Sequence, residues 1–297
     1  SVVKLGLSQG GFFPLADLLR QRGYDTEFIY GGASDFDNMR SFFLNGGFAR
    51  VTDGEAFTEP VLRGTWGVSD EDLVRRANAT FVAHAGQPFF ALLLSTSNHT
   101  PYEYPAGRVA PGAPGDNPEH GAIRYADWAI GEFFRVARRE DYFNQTVFLV
   151  VADHDSRVYG ADLVPIDHFH IPGVIIGPDV APRRYDGVAS QVDLVPTLLD
   201  LLGLDVEHPM VGRNLLAVPA DAPGLAFMQY DLTNAYRVGS RVVIHRPYDT
   251  PLQFTYDDGR LTPAPLDAEL ARDALAYIQL PGMMYHERSY RLPARGG

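Results

Sequence analysis

The chain contains no cysteine, which excludes disulfides, thiolate metal sites and a cysteine nucleophile. No apolar run approaches the ~18 residues that a membrane-crossing helix needs. Positive charge is also scarce: 25 Lys and Arg stand against 37 Asp and Glu, a net charge of −12. That balance argues against a nucleic-acid surface, which needs clustered cations to meet the phosphate backbone. The tyrosines and phenylalanines are accordingly core material, not a stacking platform for bases. A small phosphorylated substrate stays open, because a bound metal can supply positive charge locally. The opening SVVKLGLSQGG has no initiator Met and no signal-peptide pattern, and reads as a processed or truncated end. Repeats and low-complexity tracts are missing too, leaving an ordinary globular composition, 45% hydrophobic and 21% charged over 297 residues.

Periodicity divides what is present into alternating helices and strands. Residues 14–22 read as a helix stopped by Gly23, 26–30 as a strand ending in Gly31-Gly32, and 36–44 as a second helix. Ser69 opens a longer helix reaching residue 84, with Asp70, Glu71 and Asp72 in the first turn, where the helix dipole favours acids. Residues 89–96 are a nearly unbroken apolar run, as expected of a strand covered on both faces. A Pro- and Gly-rich loop over 105–120 precedes a helix at 125–138. Buried strands are expected at 146–152 and 171–176, then a helix at 189–202 closed by Gly203, with Asp193 as a cap. The alternation implies an α/β fold, a mainly parallel sheet with helices on both faces. Beyond Pro219 the pattern changes to antiparallel strands at 237–245 and 252–256 and a last helix at 265–279. The expected organisation is an α/β catalytic domain over 1–219, with a small C-terminal antiparallel α+β subdomain over 220–297 packed on the same core.

Ligands gather at the carboxyl ends of strands in an open parallel sheet. Two strand ends carry unusual residues: Ser95-Thr96-Ser97-Asn98-His99-Thr100-Pro101-Tyr102 and Ala152-Asp153-His154-Asp155-Ser156-Arg157. A third cluster, Asp167-His168-Phe169-His170, lies just before the strand at 171–176. Asp153 and His154 place a carboxylate beside an imidazole, both good ligands for Zn²⁺ or Mn²⁺. The competing reading is a polar turn in which Asp153 caps the next segment; three further histidines near strand ends favour metal or phosphate chemistry. His99 alone suits a loop histidine bonded to a backbone carbonyl, while Asn98 and Thr100 add groups that can contact a phosphate. His168 and His170, two apart, share one face on an extended segment, one to ligate or touch phosphate and the other to pack. Trp66 either walls the site or anchors a packed loop.

These segments occur in a fixed order over residues 10–216. They include Tyr30-Gly31-Gly32-Ala33-Ser34-Asp35-Phe36-Asp37-Asn38-Met39, the two strand ends above, His168-Phe169-His170-Ile171-Pro172-Gly173 and Asp193-Leu194-Val195-Pro196-Thr197. Together they resemble the lipoteichoic acid synthase and phosphoglycerol transferase branch of the alkaline phosphatase and sulfatase superfamily. The resemblance implies an alkaline phosphatase-like, sulfatase-like catalytic domain outside the cytoplasm, at the periplasmic face of the cytoplasmic membrane. Such domains are usually anchored by N-terminal membrane helices, here a missing segment. It also implies a divalent metal, Mn²⁺ or Zn²⁺ with Mg²⁺ as a third candidate, and a Thr nucleophile. The Thr attacks a phosphatidylglycerol-like lipid donor, and the group passes to a glycan acceptor. Residue by residue, Asp153 and His154 match the family's metal-binding pair and His99 its phosphate-contacting histidine. His168 is the nearest match to a further histidine of phosphoethanolamine-transferring relatives. His99 and His168 are thus catalytic candidates, and Asn38, Asn98, Arg157 and His170 are candidate substrate contacts.

The chain also departs from the family pattern. The family's acidic metal ligand and Thr nucleophile precede its Tyr-Gly-Gly-like segment, yet residues 1–29 hold no matching motif, and Thr26 sits within a strand. The expectation is half a metal site, weak metal binding and no transferase turnover by this chain alone. Asp37-Asn38-Met39-Arg40 stands where lipoteichoic acid synthases carry a Trp and an Arg. That stretch resembles Gram-negative relatives and favours glucan or another periplasmic glycan as acceptor. Two other functions stay open: a sulfatase or phosphodiesterase-type hydrolase with water as acceptor, and a catalytically dead module that binds glycan or lipid in the same cleft.

Overall fold

The computed structural model describes residues 10–12, 15–110, 112, 115–156, 158–161 and 163–291. The chain divides into two compact units, residues 1–146 and 147–297. The first unit holds strands β1 (Asp25–Tyr30), β2 (Arg50–Thr52), β3 (Arg63–Gly64), β4 (Gly67–Val68) and β5 (Phe89–Leu94). Its helices are α1 (Leu15–Arg20), α2 (Met39–Asn45), α3 (Asp70–Ala83) and α4 (Pro118–Ala137).

β1 is the middle strand of a parallel sheet, with β2 on one edge and β5 on the other. Side chains alternate across a strand, so Phe28 and Tyr30 share a face. They pack with Ala16 of α1, Met39 and Phe43 of α2, and Phe90 and Leu94 of β5. Phe89 points the other way and stacks on Phe81 of α3, ring centroids 4.7 Å apart. Helices therefore cover both faces, as expected, and Phe28 and Ile29 are fully buried. Ser69 immediately precedes α3, but its hydroxyl donates to Asp72 at 2.6 Å and makes no cap bond to the helix.

The second unit holds β6 (Phe148–Val151), β7 (Gly173–Ile176) and α5 (Leu194–Leu201). An antiparallel meander follows: β8 (Leu225–Tyr230), β9 (Thr233–Val238), β10 (Arg241–His245), β11 (Leu252–Asp257) and β12 (Arg260–Ala264), then helix α6 (Ala268–Glu287). Among the described residues β6 and β7 form a two-stranded antiparallel ribbon. Such a ribbon leaves each strand one open edge, and all four β6 residues stay half-buried.

Val242, Val243 and Ile244 are all buried because both faces of the meander are covered. Val242 and Ile244 pack with Phe254, Val164 and Ile166. Val243 packs with Leu270, Ala271 and Ala274 of α6. The meander thereby grips residues 164–166, the tract that leads into His168. No helix among the described residues is long and apolar enough to cross a membrane.

Asp193 caps the start of the α5 region through a capping box with Ser190. Its carboxylate also accepts from the Arg213 backbone amide at 2.7 Å and the Arg213 guanidinium at 2.8 Å. Asp193 is 2% exposed and Arg213 23%. Replacing Asp193 by Ala leaves the Arg213 guanidinium with only the Val188 and Leu225 carbonyls as partners, and we expect urea denaturation to show a loss of roughly 1.5–3 kcal/mol, that of hydrogen bonds to a charged group. Glu132→Ala removes an exposed pair with Arg135 and should leave the denaturation midpoint almost unchanged.

Candidate functional site

β1 ends in Gly31-Gly32, and the next chain approaches so closely that side chains are excluded. A Cβ on Gly32 would stand 2.5 Å from the Trp66 carbonyl oxygen, and one on Gly67 (φ +136°) would stand 2.2 Å from that of Gly31. The β3–β4 hairpin thus lies against the end of β1 and carries Trp66 to the end of β5. There the indole Nε1 donates to the Thr100 carbonyl at 2.7 Å. The ring lies 3.7 Å from the His99 ring, centroid to centroid, and Phe36 meets the indole edge-on at 5.4 Å. Trp66 is therefore both a wall beside His99 and an anchor for the loop that carries it.

His99 Nδ1 lies 3.1 Å from the same Thr100 carbonyl. A carbonyl only accepts, so Nδ1 carries the proton and Nε2 keeps its lone pair. Asn98 is exposed beside it. Residues 36–38 form a short 3₁₀ turn rather than the start of α2, with Asp37 and Asn38 in left-handed backbone at φ 50° and 62°. Two successive non-glycine residues there are unusual, and such strain concentrates at binding sites.

In the second unit β6 runs directly into the Asp-His pair. Gln191 Nε2 donates to the carbonyls of Ala152 at 3.2 Å and Asp153 at 3.1 Å, tying down the backbone beyond the strand. Asp153 Oδ1 accepts from the His154 amide at 2.9 Å, and Oδ2 lies 3.4 Å from His154 Nε2. His154 Nδ1 lies 2.8 Å from the Asp155 carbonyl, which fixes the same tautomer as in His99. The Asp155 carboxylate takes His168 Nδ1 at 2.8 Å. His168 itself lies in the 3₁₀ turn Ile166–Phe169, where Ile166 is buried and Asp167 accepts from the Tyr256 hydroxyl.

Asp155 thus links His154 to His168, one through its backbone and one through its side chain. Asp155 is the second acid of Asp-His-Asp, a local signal that the sequence carries. Gln191 has no such signal. His170 stands apart. The segment is a 3₁₀ turn, not a strand, so residues two apart do not share a face. Among the described residues, no hydrogen bond or ion pair joins the His170 ring to the cluster. Arg157 lies outside the described residues.

The pair passes a simple test of metal fit. Two donors on adjacent corners of a tetrahedron with bonds of ~2.1 Å stand about 3.4 Å apart. That is the separation of Asp153 Oδ2 and His154 Nε2, and both side chains are open, 72% and 74% exposed. An unprotonated Nε2 and a carboxylate suit a divalent ion at two positions of its shell. Among the described residues no group of three or more His, Asp or Glu could hold a metal ion.

A family model described as Sulfatase matches residues 3–204. A crystal structure of a protein in the alkaline phosphatase superfamily from Vibrio parahaemolyticus superposes with a TM-score of 0.94 at 41% identity, covering 98% of this chain and 72% of that one. The lipoteichoic acid synthase LtaP from Listeria monocytogenes superposes with a TM-score of 0.78 at 22% identity, covering 97% of this chain and 76% of that one, a likeness of fold. Phosphoglycerol transferase I of Xanthomonas euvesicatoria pv. vesicatoria is 30% identical over 234 residues, 72% of this chain and 32% of the relative. The chain thus spans about a third of the length of the curated relatives it matches.

¹⁵N-edited NMR of the histidine rings reports which nitrogen carries the proton. Asp155→Asn removes the carboxylate that selects the Nδ1–H form of His168 and should admit the other tautomer there. His154, held by a backbone carbonyl, should keep its tautomer in the same variant.

Proposed function

The chain belongs to the sulfatase family, on its phosphoglycerol transferase and lipoteichoic acid synthase-like branch, and we propose that it carries site residues of a metal-dependent phosphoglycerol-type transferase. The observation that supports this most is the shared state of three histidines. His99, His154 and His168 each have Nδ1 engaged by an oxygen acceptor. Each therefore offers Nε2 as the atom that binds a ligand or moves a proton.

In this proposal Asp153 and His154 hold the divalent ion, and an imidazole donor favours Mn²⁺ or Zn²⁺ over Mg²⁺. Once bound, the ion polarises a phosphoryl oxygen and offsets the chain's negative charge toward an anionic substrate. His168 takes or returns a hydroxyl proton at Nε2, and the Asp155 carboxylate stabilises the resulting imidazolium. His99 turns Nε2 toward the phosphate group as a contact, its ring steadied by Trp66. Asn38, Asn98, Arg157 and His170 serve as further polar contacts to the substrate. The donor is a phosphatidylglycerol-like lipid and the acceptor a cell-envelope glycan, with the whole protein working at the outer face of the cytoplasmic membrane. Residues 1–219 act as the catalytic domain, and 220–297 as the subdomain that steadies the approach to His168.

Calorimetric titration of Mn²⁺ and Zn²⁺ tests the metal pair. Two donors hold an ion more loosely than the three or four of a complete site, so we expect weak binding that disappears in Asp153→Ala and His154→Ala. Glycerol phosphate titrated into the chain should bind, and His99→Ala should weaken it about tenfold, the loss of one hydrogen bond to a charged group. Metal uptake unchanged in both ligand variants contradicts the proposal. Phosphoglycerol appearing on a glucan, as against free glycerol phosphate in water, separates transfer from hydrolysis.

A further inference from the structure

We propose that Asp70 is a positioning residue for His99, a role that rests on reading His99 as a phosphate contact. Asp70 is the first residue of α3 and is 3% exposed. Its neighbours find partners near the surface or close in sequence. Glu71 pairs with Arg108 at 3.0 Å, and Asp72 accepts from the Val61 amide at 2.9 Å and the Ser69 hydroxyl at 2.6 Å. Asp70 instead reaches to the end of β5. Its Oδ1 accepts from the backbone amides of Thr96 at 3.0 Å and Ser97 at 3.3 Å.

Those two residues begin the loop that carries His99. Thr96 is held a second time, its hydroxyl donating to the Val68 carbonyl at 2.8 Å. Its own carbonyl accepts from the His99 amide at 3.3 Å, and the His99 carbonyl accepts from Tyr102 at 2.7 Å. Trp66 holds the far side of the loop through Thr100. The loop is therefore clamped at both ends, by a buried carboxylate and by an indole, with His99 between.

A carboxylate is a costly way to satisfy two amides. Burial pushes the Asp70 carboxyl up, and the Thr96 amide, the Ser97 hydroxyl and the Ser97 amide offset this only in part. Its Oδ2 is buried without a hydrogen-bond partner. A neutral oxygen would meet the same amides without the desolvation cost of a charge. What the longer reach of Asp70 supplies is a fixed distance between the start of α3 and the end of β5.

The test compares Asp70→Ala, Asp70→Glu and Asp70→Asn in chain labelled at histidine Cε1. The Trp66 ring, tilted 39° against His99 with centroids 3.7 Å apart, shifts the His99 resonance, and Trp66→Ala defines the value without that ring. We expect Asp70→Ala and Asp70→Glu to move His99 toward that value. Asp70→Asn, which keeps an oxygen at the same reach, should restore it. Glycerol phosphate affinity should follow the same order, falling about tenfold in Asp70→Ala with no further loss in the Asp70→Ala/His99→Ala double variant, as for residues acting through one another. Asp70→Glu keeps the test alive if Asp70→Ala does not fold. A His99 resonance unmoved in the folded Ala and Glu variants overturns the proposal, as does Asn behaving worse than Glu, which would assign the role to charge. The resonance needs no ligand, so failure of the wild-type chain to bind glycerol phosphate sinks the functional reading and leaves this test standing.

Discussion

The geometry of the Asp-His pair depends on a carboxylate that never touches it. Asp193 is buried, and its oxygens are taken by Ser190 and Arg213. That capping box fixes the turn in which Gln191 sits, and Gln191 holds the carbonyls of Ala152 and Asp153. Asp153 and His154 are too exposed for packing of their own side chains to place them. Their position is instead inherited through the backbone from an ion pair in the interior, where breaking one partner is far more costly than at the surface.

The same logic recurs around the other candidate residues. Asp155 holds His168, and Asp70 holds the start of the His99 loop. Each histidine has its Nδ1 engaged and its Nε2 left for chemistry. Reactive groups that must face solvent can be oriented only by a second layer of hydrogen bonds, and acidic side chains are strong acceptors for that purpose. An acidic chain is thus compatible with phosphate chemistry when many of its carboxylates are occupied in holding structure.

Much of the architecture was legible because apolar runs such as 89–94 and the helical period of 70–83 are strong local signals. The Asp-His pair was legible because a strand running straight into two ligand-type residues is conspicuous. Pro118 belongs by composition to the Pro- and Gly-rich stretch, yet with Asn117 as cap it opens α4 at its first turn, where proline costs nothing. The last helix runs on through Pro281 to Glu287 rather than ending near 279. His170 was placed on an extended segment because the 3₁₀ turn at 166–169 is set by tertiary anchors, Ile166 in the meander core and Asp167 on Tyr256. The partners of Asp155 and Gln191 lie 13 and 38 or 39 residues away, and no local pattern encodes such contacts.

We propose Asp153 Oδ2 and His154 Nε2, 3.4 Å apart, as two corners of a divalent-metal site. Crystals soaked in Mn²⁺ and measured for anomalous scattering test it directly. We expect a peak about 2.0–2.2 Å from both atoms, with a wild-type site that vanishes in His154→Ala. A peak seated elsewhere on the chain, or one that persists at the same place without His154, would contradict it.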